Sequence, residues 1–520
     1  MVLIGLGFMG NYLHFKLFFG VDFIFGSIAV FLVIDWFGVT WGTIAGMVAG
    51  ICTFWLWGHP YAAINYTLEA WGVGYWFHRN RTKHNLVTID ALYWLFIGIP
   101  LSLFFYSLVL GNTWQATNLI ALKQAVNALF NVLIASIALN YVPRQGRLKK
   151  YIKSLSKISK KRLSFQQTIF NFLVAFVIFP ALTITIIDSQ RALKELQTIV
   201  VEEIGIVSTQ LEIFINDWYQ SHINGLKTIQ AILLSGPSYS PQNLESILFH
   251  FHQSFPNFTN LYVTDARGNI TAAYPPLEDK TSSSNISDDY KWQALKNENK
   301  DFSIKDIHRE NYIEGLHLGL ALPLNDQGQW QGLLYGSISP EAISTGLLNT
   351  KFLDAPDITI VNDQDQVIAS NKTGLTIGSQ FGYGDGKIFP LQHAKSIANA
   401  DNIYQWFPSE NKPALALWKE AFYFQESDLG LDLPWRLILQ ISTKEGINTL
   451  ENLYIKNLSV MLMISLVAVV AAKFITKTLL KPIDELSKAT HDIPEKLNQH
   501  ETINLPSTEI LEFHLLTTNF

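Results

Sequence analysis

Charge is what this sequence has little of. Charged residues fill 16% of its 520 positions, where a soluble protein carries roughly 25%, so part of the chain is not built to face water. The shortage is local. Residues 1–142 contain nine formally charged side chains: Lys16, Asp22, Asp35, Glu69, Arg79, Arg81, Lys83, Asp90 and Lys123. Residues 188–453 contain 32 acidic and 18 basic ones, a net of −14 that reads as a solvated globular region. Cysteine is almost missing too. Cys52 is the only one and sits in an apolar run, which excludes a disulfide framework for the polar region. At about 265 residues that region is long enough to build one or two cores without staples. The opening "MVLIGLGFMGNYLHF" lacks a basic leader segment, so no cleavable signal peptide is expected.

Long apolar runs are abundant. A membrane span needs about 20 mostly apolar residues, and candidates lie at 1–13, 20–37, 40–58, 60–77, 90–110, 118–140, 165–187 and 455–475. The first six are rich in glycine ("WGTIAGMVAG", "WGVGYW"), which lets membrane helices approach closely. Trp55, Trp57, Trp71, Tyr75 and Trp76 gather at segment ends, at headgroup level. The resulting division is a six-span bundle (1–142), a basic linker (143–162), a span (163–187), a polar domain (188–453), a second span (454–475) and a tail (476–520).

Lysine and arginine orient these pieces. "HRNRTKHN", the 143–162 run with nine basic residues and no acid, and "KFITKTLLK" all belong on the cytoplasmic side. Two spans separate each consecutive pair, so the assignments agree. Residues 188–453 are then extracytoplasmic and the tail from 476 is inside. Between two spans, the basic run is a topology signal rather than a nucleic-acid arm, and no nucleic acid is expected as partner.

Beyond the span at 165–187, Leu193, Leu196, Ile199, Val200, Ile204, Val207, Leu211 and Ile215 recur at helical spacing, predicting a long helix with a core or dimer face. The period then changes. "NLYVTDARGNITAAYP" (260–275) and "LHLGLALPLNDQGQWQGLLYGSIS" (316–339) read as strand–turn–strand, with turns at Asp265–Gly268 and Asn325–Gly328. "DITIVNDQDQVIAS" (357–370) repeats the pattern and "LPWRLILQIS" (433–442) supplies a closing strand. Two small α/β lobes in tandem follow from this.

The long helix, "YVTDARGNITAAYP", "SDDYKW", "ALPLNDQGQWQGLLYGSIS" and "IVNDQDQVIAS" together resemble the double-Cache (tandem PAS-like) sensor domain of bacterial receptors, over roughly 188–453. The resemblance implies a membrane-distal lobe that binds a small molecule and a proximal lobe that relays. Its amino-acid-binding members use an Arg-Trp-Tyr cluster and an Asp on the strand ending the distal lobe. Here Asp289 stands where the family often has Arg, and Ser337 where it often has Asp. An amino-acid zwitterion needs both a cation and an anion in its site, so these departures argue against a free amino acid. Tyr274, Asp288, Tyr290, Trp292, Tyr312, Tyr335 and Ser337 are the candidate pocket residues, with core packing as the plain alternative for the aromatics. No catalytic, metal or cofactor motif shows itself. His308-Arg309-Glu310 reads as a loop and "GYGDGK" (382–387) as a turn, since the latter lacks a phosphate loop's Lys-Ser/Thr ending.

Residues 1–142, through "GNYLHFKLFFGVDFIFGSIAVF", "LWGHPYAA" and "ALKQAVNALFN", resemble the multi-span MASE-type sensory modules of bacterial receptors. Their informative residues are polar ones at membrane depth. Glu69 falls mid-segment, and Lys123, Asn127 and Asn131 share a helix face at i, i+4 and i+8. Either Glu69 and Lys123 pair or flank a ligand, with the asparagines lining the same cavity, or they lie nearer an interface and snorkel. Asp22 and Asp90 fall near segment starts, where an acid is already favourable. A transporter is the reading of another class, though no inverted repeat is evident.

At the end, Leu479, Ile483, Leu486, Thr490 and Ile493 are spaced 4-3-4-3, and Ile510, Phe513, Thr517 and Phe520 continue 3-4-3. Pro482 fits a helix's first turn. With "P-x-x-x-L" at Pro482–Leu486 and Glu509-Ile510 opening a second helix, this resembles a HAMP relay of short coiled-coil helices. That resemblance implies a homodimer and a downstream signalling partner. The expectation is thus a multi-domain receptor of the bacterial inner membrane that is not itself an enzyme. It would be the input half of a sensor kinase, diguanylate cyclase or similar protein.

Overall fold

The computed structural model describes residues 2–18, 21–79, 85–141, 165–236, 240–276, 285–297, 301–310, 313–349, 356–391, 402–409 and 414–491. The basic linker, Tyr312 and the end of the tail from 492 on, with Ile493 and Glu509, lie outside them. The chain divides into two units. One comprises Met1–Glu195 and Gly446–Phe520, the other Leu196–Lys412 and Ala416–Glu445.

The first unit is helical. Among the described residues, five helices are long and apolar enough to cross a membrane: Val39–Trp57, Leu86–Val109, Trp114–Asn140, Phe165–Ser235 and Lys444–Ile483. The four that separate the three basic segments are among them. The expected spans at 1–13 and 20–37 are replaced by something shorter. Helices Val2–Tyr12 and Gly26–Phe37 have 11 and 12 residues, reaching about 16–18 Å at 1.5 Å per residue against about 30 Å of hydrocarbon. Between them strands β1 (Phe15–Phe18) and β2 (Val21–Phe23) form an antiparallel hairpin. Tyr61–Arg79 has the length but not the apolarity, because Asn65 and Glu69 interrupt it. Glycine makes the helices touch. Gly42, Gly46 and Gly50 share one face of Val39–Trp57, and a Cβ on Gly46 would stand 2.7 Å from Ala70 Cβ.

Leu86–Val109 contains two π-helical turns, Trp94–Gly98 and Phe104–Val109, on either side of Pro100. Proline removes the donor that would serve the carbonyl one turn earlier; separately, Asn65 Nδ2 donates to Gly98 O at 3.1 Å. Pro482 is not in a first turn, as its sequence setting suggested. It lies inside one continuous helix, Lys444–His491, where Thr478 C=O loses its ladder donor.

The second unit has two antiparallel sheets. The first, ordered β4-β3-β7-β6-β5, consists of β3 (Phe258–Thr264), β4 (Ile270–Tyr274), β5 (Ser303–Glu310), β6 (Ile313–Asp326) and β7 (Gln329–Ile338). The second, ordered β10-β11-β12-β13-β8-β9, consists of β8 (Asp357–Val361), β9 (Val367–Ser370), β10 (Gly386–Pro390), β11 (Ile403–Pro408), β12 (Phe422–Asp428) and β13 (Arg436–Ser442). Both turns expected in the first lobe are present. Asp265 Oδ1 accepts from Arg267 N and Asn269 N, each at 2.8 Å, and Gly268 takes φ +87°. Gln327 and Gly328 adopt left-handed φ of 48° and 81° at the β6–β7 turn. One core joins the lobes: Val200, Ile204, Val207, Leu211 and Ile215 of the long helix pack with Leu318, Leu320 and Leu322 of β6 and with Ile358, Leu437 and Leu439. The predicted stripe holds, except that Ile199 is exposed.

Candidate functional site

Alternation along β6 and β7 gives the first sheet two faces. Leu318, Leu320 and Leu322 point to the helical core, while His317, Gly319 and Ala321 point away from it. On that second face Tyr262 of β3 lies opposite Tyr335 of β7, their rings stacked at 4.6 Å between centroids. Gly319 is needed beside them: a Cβ there would come within 2.6 Å of the Tyr335 hydroxyl. The short helix Tyr290–Asn297 closes over the face. It brings Trp292, edge-on to Trp330 at 4.9 Å, and Lys291, which is 1% exposed.

Lys291 is the residue that the sequence reading passed over, although it named both neighbours. Its Nζ lies 4.1 Å from the Tyr335 ring centroid and 5.6 Å from that of Tyr262. Asp289 Oδ2 is 3.4 Å away. Desolvating an ammonium is costly, and two aromatic faces and one carboxylate offset that here. The face is continued by His308 and His317, whose rings are 4.4 Å apart. His308 belongs to β5 and so is not in the loop assigned to it.

The predicted pocket residues divide. Trp292, Tyr335 and Ser337 lie on this face and are buried. Ser337 Oγ is 2.8 Å from Thr259 Oγ1 and accepts from Asn260 N at 3.1 Å. Tyr274 does not join them. It pairs with Leu261 and so faces the helical core, with Phe249 and His252 at 5.3 and 5.1 Å. Asp288 and Tyr290 are exposed, because the helix carrying Lys291 and Trp292 inward turns its other side out.

In the second lobe an open groove of about 530 Å3 is lined by Tyr383, Gly384, Asp385, Trp406, Pro408, Ser409 and Glu420. Tyr383 Oη donates to Glu426 Oε1 at 2.7 Å. Burial, then this bond to a carboxylate, pushes the Tyr383 phenol upward. On the long helix, His222 Nδ1–H donates to Trp218 O at 2.7 Å, and its Nε2 accepts from Asn257 Nδ2 at 3.3 Å. Burial holds the ring below the ordinary His value, only partly opposed by the Trp218 bond.

In the helical unit the polar residues form a network. Tyr93 donates to Asn65 Oδ1 (3.0 Å), Asn65 Nδ2 reaches Ser102 Oγ (2.9 Å), Ser102 donates to Gln124 Oε1 (2.8 Å), and Gln124 Nε2 donates to Tyr106 Oη (3.2 Å). The expected partnership of Glu69 with Lys123 is not what the side chains form. Glu69 Oε1 accepts from Trp94 Nε1 at 2.7 Å, and Lys123 Nζ sits 4.2 Å over the Trp57 ring. Both are fully buried, so neither snorkels. Asn127 and Asn131 both bond the main chain of Ile24. Asp90 is not a helix-start acid at a surface. It is completely buried and faces Glu69. Of the relay residues, Ile483 is 36% exposed on the Lys444–His491 helix.

No family model and no curated protein matches the chain. Among solved structures it is similar to the ligand-binding domain of the Campylobacter jejuni chemoreceptor Tlp3 in complex with L-valine. The identity is 13% and the TM-score 0.38, over 49% of this chain and 97% of that one. The ligand-binding domain of the Pseudomonas aeruginosa PAO1 amino-acid chemoreceptor PctC, in complex with GABA, gives 14% and 0.34, over 47% and 100%. That of Mlp24 with asparagine gives 10% and 0.35, over 50% and 99%. These neighbours are chemoreceptor sensory domains.

Proposed function

We propose that this chain is the sensing part of a bacterial inner-membrane receptor, whose 188–453 region is extracytoplasmic and binds a small molecule carrying an anionic group. Lys291 carries the reading. A buried ammonium against two tyrosine rings, with the Asp289 carboxylate beside it, offers a ligand anion a charge-assisted bond. Ser337 brings a neutral hydroxyl to the same face, at the position where the resemblance leads one to expect an acid, which favours a ligand without an ammonium group. The preferred ligand is therefore a carboxylate without an amino group. Binding shifts the population of two states of the outer lobes by no more than the ligand's differential affinity for them. The helices that end at the membrane carry that shift to a HAMP-like relay, and a kinase, cyclase or similar output reads it in a homodimer.

The test is a thermal-shift screen of amino acids against their hydroxy- and keto-acid counterparts, on the full chain in detergent. The hydroxy or keto acids should bind at least as tightly as the amino acids. Lys291→Met should weaken the best of them about 10- to 100-fold, the worth of one bond to a charged group. Unchanged affinity in Lys291→Met would remove the lysine from the site and the proposed ligand class with it.

A further inference from the structure

We propose that Glu69 and Asp90 form a proton-binding site inside the helical bundle, one proton being held between the two carboxyls. Glu69 stands on Tyr61–Arg79 and Asp90 on Leu86–Val109, and they are 1% and 0% exposed. Trp94, one turn beyond Asp90 on the same helix, donates to Glu69 at 2.7 Å, so the two carboxyls face each other across the helix pair, with Ser27 beside Glu69. Two facing carboxylates repel in a medium without water, whereas one shared proton turns the contact into a short, strong O–H···O bond.

Two further observations point to an occupant. With both carboxyls unprotonated, neither Asp90 oxygen meets a donor among the described residues, although the residue is wholly buried. Tyr66, one turn before Glu69, is 4% exposed and its hydroxyl has no partner among those residues either. It packs on Trp94 at 6.1 Å, the ring whose N–H holds Glu69. Groups this polar are otherwise satisfied at membrane depth.

Among the described residues no basic side chain forms an ion pair with Glu69 or Asp90. Tyr93 faces the pair from the helix of Asp90, but its hydroxyl is committed to Asn65. Gly26–Phe37 contributes Ser27, and Asp35 lies two turns further along that helix. Val39–Trp57 contributes only Cys52 among its titratable groups. Trp114–Tyr141 contributes Lys123, which lies over Trp57 within electrostatic reach of Asp22, and the neutral Gln124, bonded to Ser102 and Tyr106. A proton is what balances the site. Its gain or loss switches the Glu69–Asp90 contact between attraction and repulsion, which makes the bundle a second input, separate from the outer lobes.

Infrared spectroscopy of the full chain in lipid nanodiscs tests this. The unchanged protein should show, at neutral pH, the C=O stretch of one protonated carboxyl that shifts in D2O and persists when sodium is added. The band should be lost in Glu69→Gln/Asp90→Asn. No such band, one that survives in the double variant, or one that sodium abolishes at constant pH overturns the proposal. Should the variant fail to fold, a membrane-soluble carbodiimide on the unchanged chain decides instead. An adduct mapped to Glu69 or Asp90 by peptide mass spectrometry supports the site, and labelling that spares both refutes it.

Discussion

Asn127 gives both ends of its carboxamide to one residue. Its Oδ1 accepts from Ile24 N–H at 2.8 Å and its Nδ2 donates to Ile24 C=O at 2.7 Å, as a neighbouring strand would. Asn131 adds a second donor to the same carbonyl at 2.8 Å. Main chain that leaves a helix at membrane depth needs such substitutes. Asn127→Leu strands the Ile24 N–H, so it should destabilise the full chain by about 1–3 kcal/mol. Asn131→Leu should cost less, since Asn127 still serves that carbonyl; denaturation in detergent would show a contrary order. The spacing of these residues was legible in the sequence. Their partner was not, because the hairpin before Gly26 carries no turn signal strong enough to interrupt an apolar run. Lys291 escaped for a related reason: on a short, polar helix a lysine looks like a solvated one. His222 yields a pH prediction. The unfolded chain takes up this proton before the folded one does, so stability falls as pH drops below about 6.5, the ordinary His value. In His222→Gln that part of the slope should vanish, as melting curves across mildly acidic pH would reveal.

At the scale of elements, period-2 alternation and Asp- or Asn-led turns made β3, β4, β6, β7, β8 and β9 readable. The strands that escaped, β5 and β10 to β12, lack clean alternation. β10, for instance, is exposed along its whole length. Their assignment depends on neighbouring strands that no local pattern announces. One position tests the first sheet's construction. Gly332 of β7 has φ +140°, and a Cβ there would lie 2.1 Å from Thr264 O. Gly332→Ala therefore meets both backbone strain and a main-chain clash, and should cost about 1–3 kcal/mol or more. A variant with unaltered melting temperature would contradict the β3–β7 geometry described.

For the whole molecule, the sequence distinguished a charge-poor helical unit from an acidic α/β one, because burial in lipid and exposure to water select opposite compositions. It overestimated the number of full spans, since an apolar run reveals hydrophobicity but not where a helix ends. The orientation rests on the basic segments. Protease added to intact spheroplasts should cut within 200–450 and spare the last forty residues; the reverse pattern would overturn the proposed orientation. Dimerisation is checked with cysteine introduced at Ile483, in a chain whose native Cys52 is buried. Oxidative crosslinking should yield a covalent dimer, and a product that stays monomeric counts against the relay.

Pro482 gives the Lys444–His491 helix an uneven stiffness. Upstream of Thr478 no proline interrupts the ladder. The missing rung makes a compliant joint there, able to bend or slip before the heptad positions that follow. Filling it with Pro482→Ala should slow amide exchange around Thr478 and harden the mechanical connection, so that any output becomes steeper or locks in one state.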